Sequence, residues 1–192
     1  MDLSSHELGL AVRLLLKGNG NLLERLLGPM PLLTTLAGER LAELARGSLS
    51  KRVVHHYRGF FSGMRREYSL EEAQGTRRAK RLLYAYRVAL TGAHLLHTGE
   101  LVTDVAKLAG EYGFVRVQDL VERKRQAEKQ ELTEEEAAPC VKDLDALEGL
   151  LNEALERSPL PEAPPNEREL DAFLIECRLS LSSHERWTPA RR

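Results

Sequence analysis

The run from Lys80 to Gly99, KRLLYAYRVALTGAHLLHTG, constrains the fold more than any other part of the chain. Its apolar residues Leu83, Tyr86, Ala89, Leu90, Ala93 and Leu96 recur at the steps of one helix face. The opposite side carries Lys80, Tyr84, Arg87, Thr91 and His94 in a stripe about 80° wide. A helix with such a face must bury it against other elements. The rest of the sequence offers helices for that purpose and no convincing strand pair. The expected fold class is therefore mainly α, a helical bundle. The stripe itself can be a solvated face. Solvated faces usually mix Glu with Lys, however, and this one holds an ammonium, a phenol, a guanidinium and an imidazole without an acid. That combination suits an anion.

Local punctuation divides the chain. Ser4 with Glu7 predicts a capping box that opens a helix to Lys17, stopped by Gly18. Further helices are expected over residues 21–27, 37–46, 50–67, 76–98, 102–112 and 117–131, with 30–35 extended because Pro29 and Pro31 exclude a helix there. Thr133 and Glu136 form a second capping box for a helix to about Arg157, with Pro139 in its next turn. SPLPEAPPN, residues 158–166, reads as a semi-rigid linker. Asn166 with Glu169 then caps a last helix to about Leu181, and the tail beyond frays. No internal repeat is visible.

Net charge is -1, so the whole chain says nothing about partners, but the distribution does. Ser50 to Leu90 holds ten Lys or Arg against three acids, interleaved with His55, His56, Tyr57, Tyr68, Tyr84 and Tyr86. Basic clusters of this kind attract phosphate. Glu128 to Glu162 holds eleven acids against three bases, which either solvate an outer helix or neutralise the basic block within the fold. Cys140 and Cys177 stand alone, so neither a zinc site nor a disulfide framework is indicated. The pair His94 and His97 lacks an accompanying carboxylate or Cys for a metal. No apolar run reaches membrane-spanning length and no signal-peptide pattern opens the chain, so the cytoplasm is the expected compartment and no membrane partner is expected.

A second chemical region lies in the helix expected over 50–67. Val53, Val54, Tyr57, Phe60, Phe61 and Met64 form its predicted core face, and Gly59 and Gly63 lie near His56 along one edge. Each glycine costs roughly 1 kcal/mol of helix propensity, which close helix packing or ligand approach would explain. Packing is the expectation. Of the adjacent histidines, His56 borders the glycine edge and is the functional choice.

The blocks LLKGNGNLLE, HHYRGF and LLYAYRVALTG, in this order and within residues 2–130, together resemble one family. It is the group of predicted nucleotidyltransferases of the DNA polymerase beta superfamily that includes YcgL-like and RNA-repair-associated proteins. LPEAPPNERELDAFLIECRLSL also resembles the short tail of that family. The resemblance implies nucleotidyl transfer from a nucleoside triphosphate, with Mg²⁺ held by carboxylates and RNA among the acceptors. It implies that Lys80, Tyr84 and Arg87 grip the triphosphate, together with His56 and Tyr57 of the histidine-bearing block. Asn19 and Glu24 match the turn after the first helix, where they would orient a sugar or buttress the site. Asp2 matches the third metal-binding carboxylate by position.

The sequence departs from that family in its catalytic signature. No Gly-Ser loop followed by Asp-x-Asp is present: Gly47-Ser48 precedes no acidic pair, and Asp143-Leu144-Asp145 falls inside an expected helix. Residues 1–35 then correspond to a remnant or junction of the α/β catalytic core, 36–157 to the helical nucleotide-binding domain, 158–166 to the linker, and 167–192 to a C-terminal helix and tail. A missing sheet would expose the apolar face of Leu8 to Leu16 and favour association, with a separate catalytic chain or a second copy. Two other readings remain open. One is a non-catalytic helical module that binds nucleotides or nucleic acid through the same basic face. The other is a helical ribonuclease-like toxin that uses Arg87 and His94.

Overall fold

The structure is a computed structural model and describes residues 7–29, 35–126 and 131–183. Within them the order is α1 (Leu8–Leu16), α2 (Gly20–Leu27), α3 (Leu36–Gly47), α4 (Val53–Ala73), α5 (Ala79–Thr98), α6 (Val105–Glu111), α7 (Val117–Gln126), α8 (Glu134–Glu156) and α9 (Glu167–Ser183). No strand forms among the described residues, where Arg78 and Glu131 make an isolated β-bridge. The chain is a helical bundle, as its periodicity predicts. Ser4, most of the 30–35 segment, residues 127–130, Asp2 and the tail from 184 lie outside the described residues.

The helices begin where side chains satisfy their first amides. Glu7 accepts from Gly9 N and Leu10 N at 2.8 and 2.9 Å, Asn19 from Leu22 N at 3.0 Å, and Thr35 from Gly38 N at 3.1 Å. Asp104 caps α6, which therefore starts three residues later than its periodicity suggested. The Thr133–Glu136 capping box forms as expected, and α8 tolerates Pro139 within it. Helix α4 overruns its expected end by six residues, because Tyr68 continues the buried face and the chain turns at Gly75, φ 80°. At the start of α9 the side chain of Asn166 does not cap. Its amide is buried and donates to Leu44 O of α3 at 2.8 Å, while its backbone carbonyl accepts from Glu169 N and Leu170 N.

Helix α5 is the axis of the bundle. Helices α4, α6, α7 and α8 all pack on it, and Leu82, Tyr86, Leu90, Leu95 and Leu96 are fully buried. The polar stripe expected along its whole length ends halfway. Thr91 is fully buried and His94 is 6% exposed. Tyr112, just after α6, covers this end: its hydroxyl lies 3.3 Å from His94 Nδ1, and its ring stacks on His97.

Helix α8 brings its acids to the basic block. Arg65 of α4 pairs with Asp145 and Glu148 at 2.6 and 2.8 Å, and Arg77 lies 3.6 Å from Glu134. The apolar face of α1 is also covered: Ala11, Val12 and Leu15 are buried, and α2 and α9 pack against that helix. Residues 158–166 follow the body of the bundle. Ser158 Oγ donates to Leu96 O at 2.6 Å, and Lys51 N donates to Pro161 O at 2.8 Å.

Candidate functional site

The three sequence blocks quoted above interlock around Tyr57. A Cβ on Gly20, at the start of α2, would stand 2.8 Å from His56 Nε2 and 2.9 Å from the Tyr57 ring. A Cβ on Gly92, in α5, would stand 2.6 Å from Tyr57 Cβ. Real side-chain carbons do not approach so closely, so only glycine lets α2, α4 and α5 meet over this ring. Gly59 and Gly63, expected to mediate close packing, do not: nothing lies within 4 Å of a Cβ at either position.

The Tyr57 hydroxyl donates to one oxygen of Glu24 at 3.4 Å, and Arg87 Nη2 donates to the other. Burial raises the Tyr57 pKa, and the Glu24 charge and hydrogen bond reinforce the effect. His56 packs edge-on against Tyr57 at 5.3 Å between ring centroids, and lies over Phe60 at 4.6 Å with the planes inclined by 34°. Burial lowers the His56 pKa, with Glu24 acting in the opposite sense.

These groups form part of the wall of a pocket of about 390 Å³ between α4 and α5. Asn21 and Glu24 come from α2, and His56, Tyr57, Phe60 and Met64 from α4. Arg78, Lys80, Arg81, Tyr84, Arg87 and Val88 come from the start and first half of α5. One wall is aromatic and apolar, the other cationic. Four cations and one carboxylate line it among the described residues. Several of the cations are anchored: Arg81 pairs with Glu67 and Glu71 at 2.6 and 2.9 Å, and Arg78 with Glu71 at 3.2 Å.

Of the residues singled out in the sequence, Glu24, His56, Tyr57, Lys80, Tyr84 and Arg87 all line this pocket. Asn19 does not, because its side chain caps α2; Asn21, two residues on, takes a place in the lining. Phe60 belongs to the predicted core face of its helix but is 45% exposed and lines the pocket instead. The step of four from His56 to Phe60 to Met64 was the signal for it. Arg78 and Arg81 were also missed, although they stand in the basic run RRAKR. His94 lies away from the pocket beside Tyr112 and Glu111, so Arg87 and His94 do not share a site.

The residues described do not fit a pair of metal ions. No group of three or more His, Cys, Asp or Glu among them is arranged to hold one, and Glu24 is already engaged by Arg87 and Tyr57. Asp143 and Asp145 sit within α8 and bind Tyr86 and Arg65.

Residues 1–176 match the family described as RlaP, RNA repair pathway DNA polymerase beta family. An uncharacterized protein of Methanocaldococcus jannaschii is 32% identical over 103 residues, which cover 54% of this chain and 41% of that protein. The chain therefore spans less than half the length of the curated relative it matches. No solved structure matches it. No helix among the described residues is long and apolar enough to cross a membrane.

Proposed function

The chain belongs to the RNA repair pathway DNA polymerase beta family, and from that premise we propose that its α4–α5 pocket binds a nucleoside triphosphate. In this reading the chain supplies the helical, triphosphate-gripping part of a nucleotidyltransferase, with an RNA end as acceptor. The observation that carries it is the lining itself, with Arg78, Lys80, Arg81 and Arg87 facing an aromatic wall of His56 and Phe60. Cations meet phosphate oxygens, and ring faces suit the planar part of a nucleotide. Lys80, on the exposed side of α5, is the assigned phosphate contact; Arg81, held by two glutamates, is a fixed charge behind it. No metal-dependent step is assigned to the described residues. Their single pocket carboxylate favours, as the second reading, a non-catalytic module that binds nucleotides or nucleic acid in the same place.

Calorimetric titration with ATP, with and without Mg²⁺, tests the binding. Lys80→Ala should weaken it by roughly 1.5–3 kcal/mol, the range for hydrogen bonds to charged groups. An unchanged affinity in that variant removes the proposed role of the pocket. Incubation with labelled nucleoside triphosphate and RNA then separates the two readings: label transferred to the RNA supports catalysis, and binding without transfer supports the module.

A further inference from the structure

One cation of the pocket already has an anion that shares the lining with it. Arg87 and Tyr57 both donate to Glu24, so a single carboxylate ties α2, α4 and α5 together. Its side chain is 17% exposed and lines the pocket, as does the 34% exposed side chain of Arg87. The carboxylates that hold Arg81 and Arg78, Glu67 and Glu71, are not part of the lining. A phosphate that approaches Arg87 therefore meets two obstacles together. Some of the guanidinium donors are taken, and a like charge stands beside them.

We propose that Glu24 is a resident counter-anion, which holds Arg87 when the pocket is empty and gives it up to a phosphate group of the ligand. This rests on the triphosphate reading above and adds a regulatory residue to it. Lys80, on the exposed side of α5, is the first contact of the anion, and the exchange at Arg87 follows. The pair sets a threshold. A ligand with one weak negative charge does not displace a carboxylate held by two donors, whereas a polyphosphate brings enough charge to do so. The same pair keeps an unpaired guanidinium from standing in a partly apolar wall before binding, where it would be costly.

The test is binding of inorganic tripolyphosphate and of ATP to the whole chain, in metal-free buffer, by calorimetry. Glu24→Gln keeps the size and an accepting oxygen but removes the charge. It should bind tripolyphosphate about tenfold or more tightly than the wild type, the scale set by a like charge a few ångströms away. In an Arg87→Ala background the like charge of Glu24 can still be removed but no guanidinium can be released, so the double variant should bind tripolyphosphate more weakly than Glu24→Gln alone. A weaker or unchanged affinity in Glu24→Gln, with its thermal transition intact, overturns the proposal and leaves Glu24 as a positioning residue for Arg87. If Glu24→Gln does not fold, Glu24→Asp takes its place, with a smaller gain expected and no gain overturning the idea. The two levels separate cleanly. Binding that depends on Lys80 but gains nothing from Glu24→Gln leaves the triphosphate reading standing and removes the counter-anion. No binding by either chain removes both.

Discussion

Two buried tyrosines in this bundle are built into the same kind of unit and end with different surroundings. Tyr57 of α4 donates to Glu24, which Arg87 also holds. Tyr86 of α5 donates to Asp143 of α8 at 2.6 Å, and Arg116 lies 3.3 Å from the same carboxylate oxygen. Burial raises the pKa of both phenols, and the neighbouring carboxylates add to it. Beside Glu24 lie an exposed aromatic ring and three further cations. Beside the second unit, the depression between α7 and α8 contains Arg116 and Arg123 against Asp119, Glu122, Glu135 and Glu136. Arg123 is paired with Glu136, and burial raises the pKa of the nearby Cys140 thiol. A tyrosine–carboxylate–arginine unit is thus a fastener in either place. What distinguishes the two places is the charge around them: mostly cations line the pocket at Glu24, and mostly carboxylates line the depression beside Asp143.

The largest expected effect treats the two units alike. Tyr57→Ala and Tyr86→Ala should each cost about 3–5 kcal/mol in urea denaturation, as for other large aromatic truncations in cores. A much smaller cost at Tyr57 would show that the fit between Gly20 and Gly92 is loose. Removing only the hydroxyl should split them. Tyr86→Phe loses a short bond to a carboxylate and should cost about 1.5–3 kcal/mol, whereas Tyr57→Phe, whose bond is 3.4 Å long, should cost less than about 1 kcal/mol. The reverse order would sink the geometric ranking of the two units.

The arginines should differ in the opposite sense. Arg116 is half exposed, and its loss should cost at most about 1 kcal/mol of stability. Arg87 is more sheltered and leaves Glu24 without its ion-pair partner, so Arg87→Ala should cost about 1–3 kcal/mol. Equal costs in denaturation would show that Glu24 reaches water more readily than its 17% exposure indicates.

These contrasts also mark what the sequence could and could not say. Helix existence was legible because apolar period and capping residues act locally, as at Asn19, Thr35 and Thr133. The gathering of Lys80, Tyr84 and Arg87 on one face was legible for the same reason. Thr91 and His94 continue that face by period, yet they are buried, because periodicity reports a helix's own polarity and not the Tyr112 ring that packs over it. The glycines teach the same lesson. Gly59 and Gly63 looked like contact points and are open, while the tight approaches are at Gly20 and Gly92. Which glycine meets a ring depends on where α2 and α5 lie, and no local signal contains that. Glu24 and Arg87 are likewise 63 positions apart, so their pairing is a product of the fold.

Alkaline pH probes the shared property of the buried phenols. Tyr57, Tyr68 and Tyr86 all have raised pKa values through burial, Tyr68 to about 12. The unfolded chain ionises near pH 10, so the stability that the neutral phenols supply is complete below that value. It is lost as pH rises toward 12. Tyrosinate absorbance should therefore show these three phenols ionising together with the loss of helical circular dichroism. Free titration of all five tyrosines near pH 10, with the helices intact, would contradict their burial.

The smallest effect lies at acid pH and belongs to the Tyr57 unit alone. His56 packs on Tyr57 and Phe60, and its burial holds the imidazole pKa below the ordinary value of about 6.5, against the pull of Glu24. The unfolded chain takes up that proton first. The stability supplied by neutral His56 is therefore complete above about pH 6.5 and is lost as pH falls through the lower folded value. A His56→Gln variant should flatten this part of the stability profile between pH 7 and 5. Protonation of His56 also adds a cation to the pocket wall, so affinity for tripolyphosphate should rise over the range in which stability falls. Opposite slopes for binding and stability, both abolished in His56→Gln, would tie the imidazole to the pocket. Parallel slopes, or slopes that survive the substitution, would place the titrating group elsewhere.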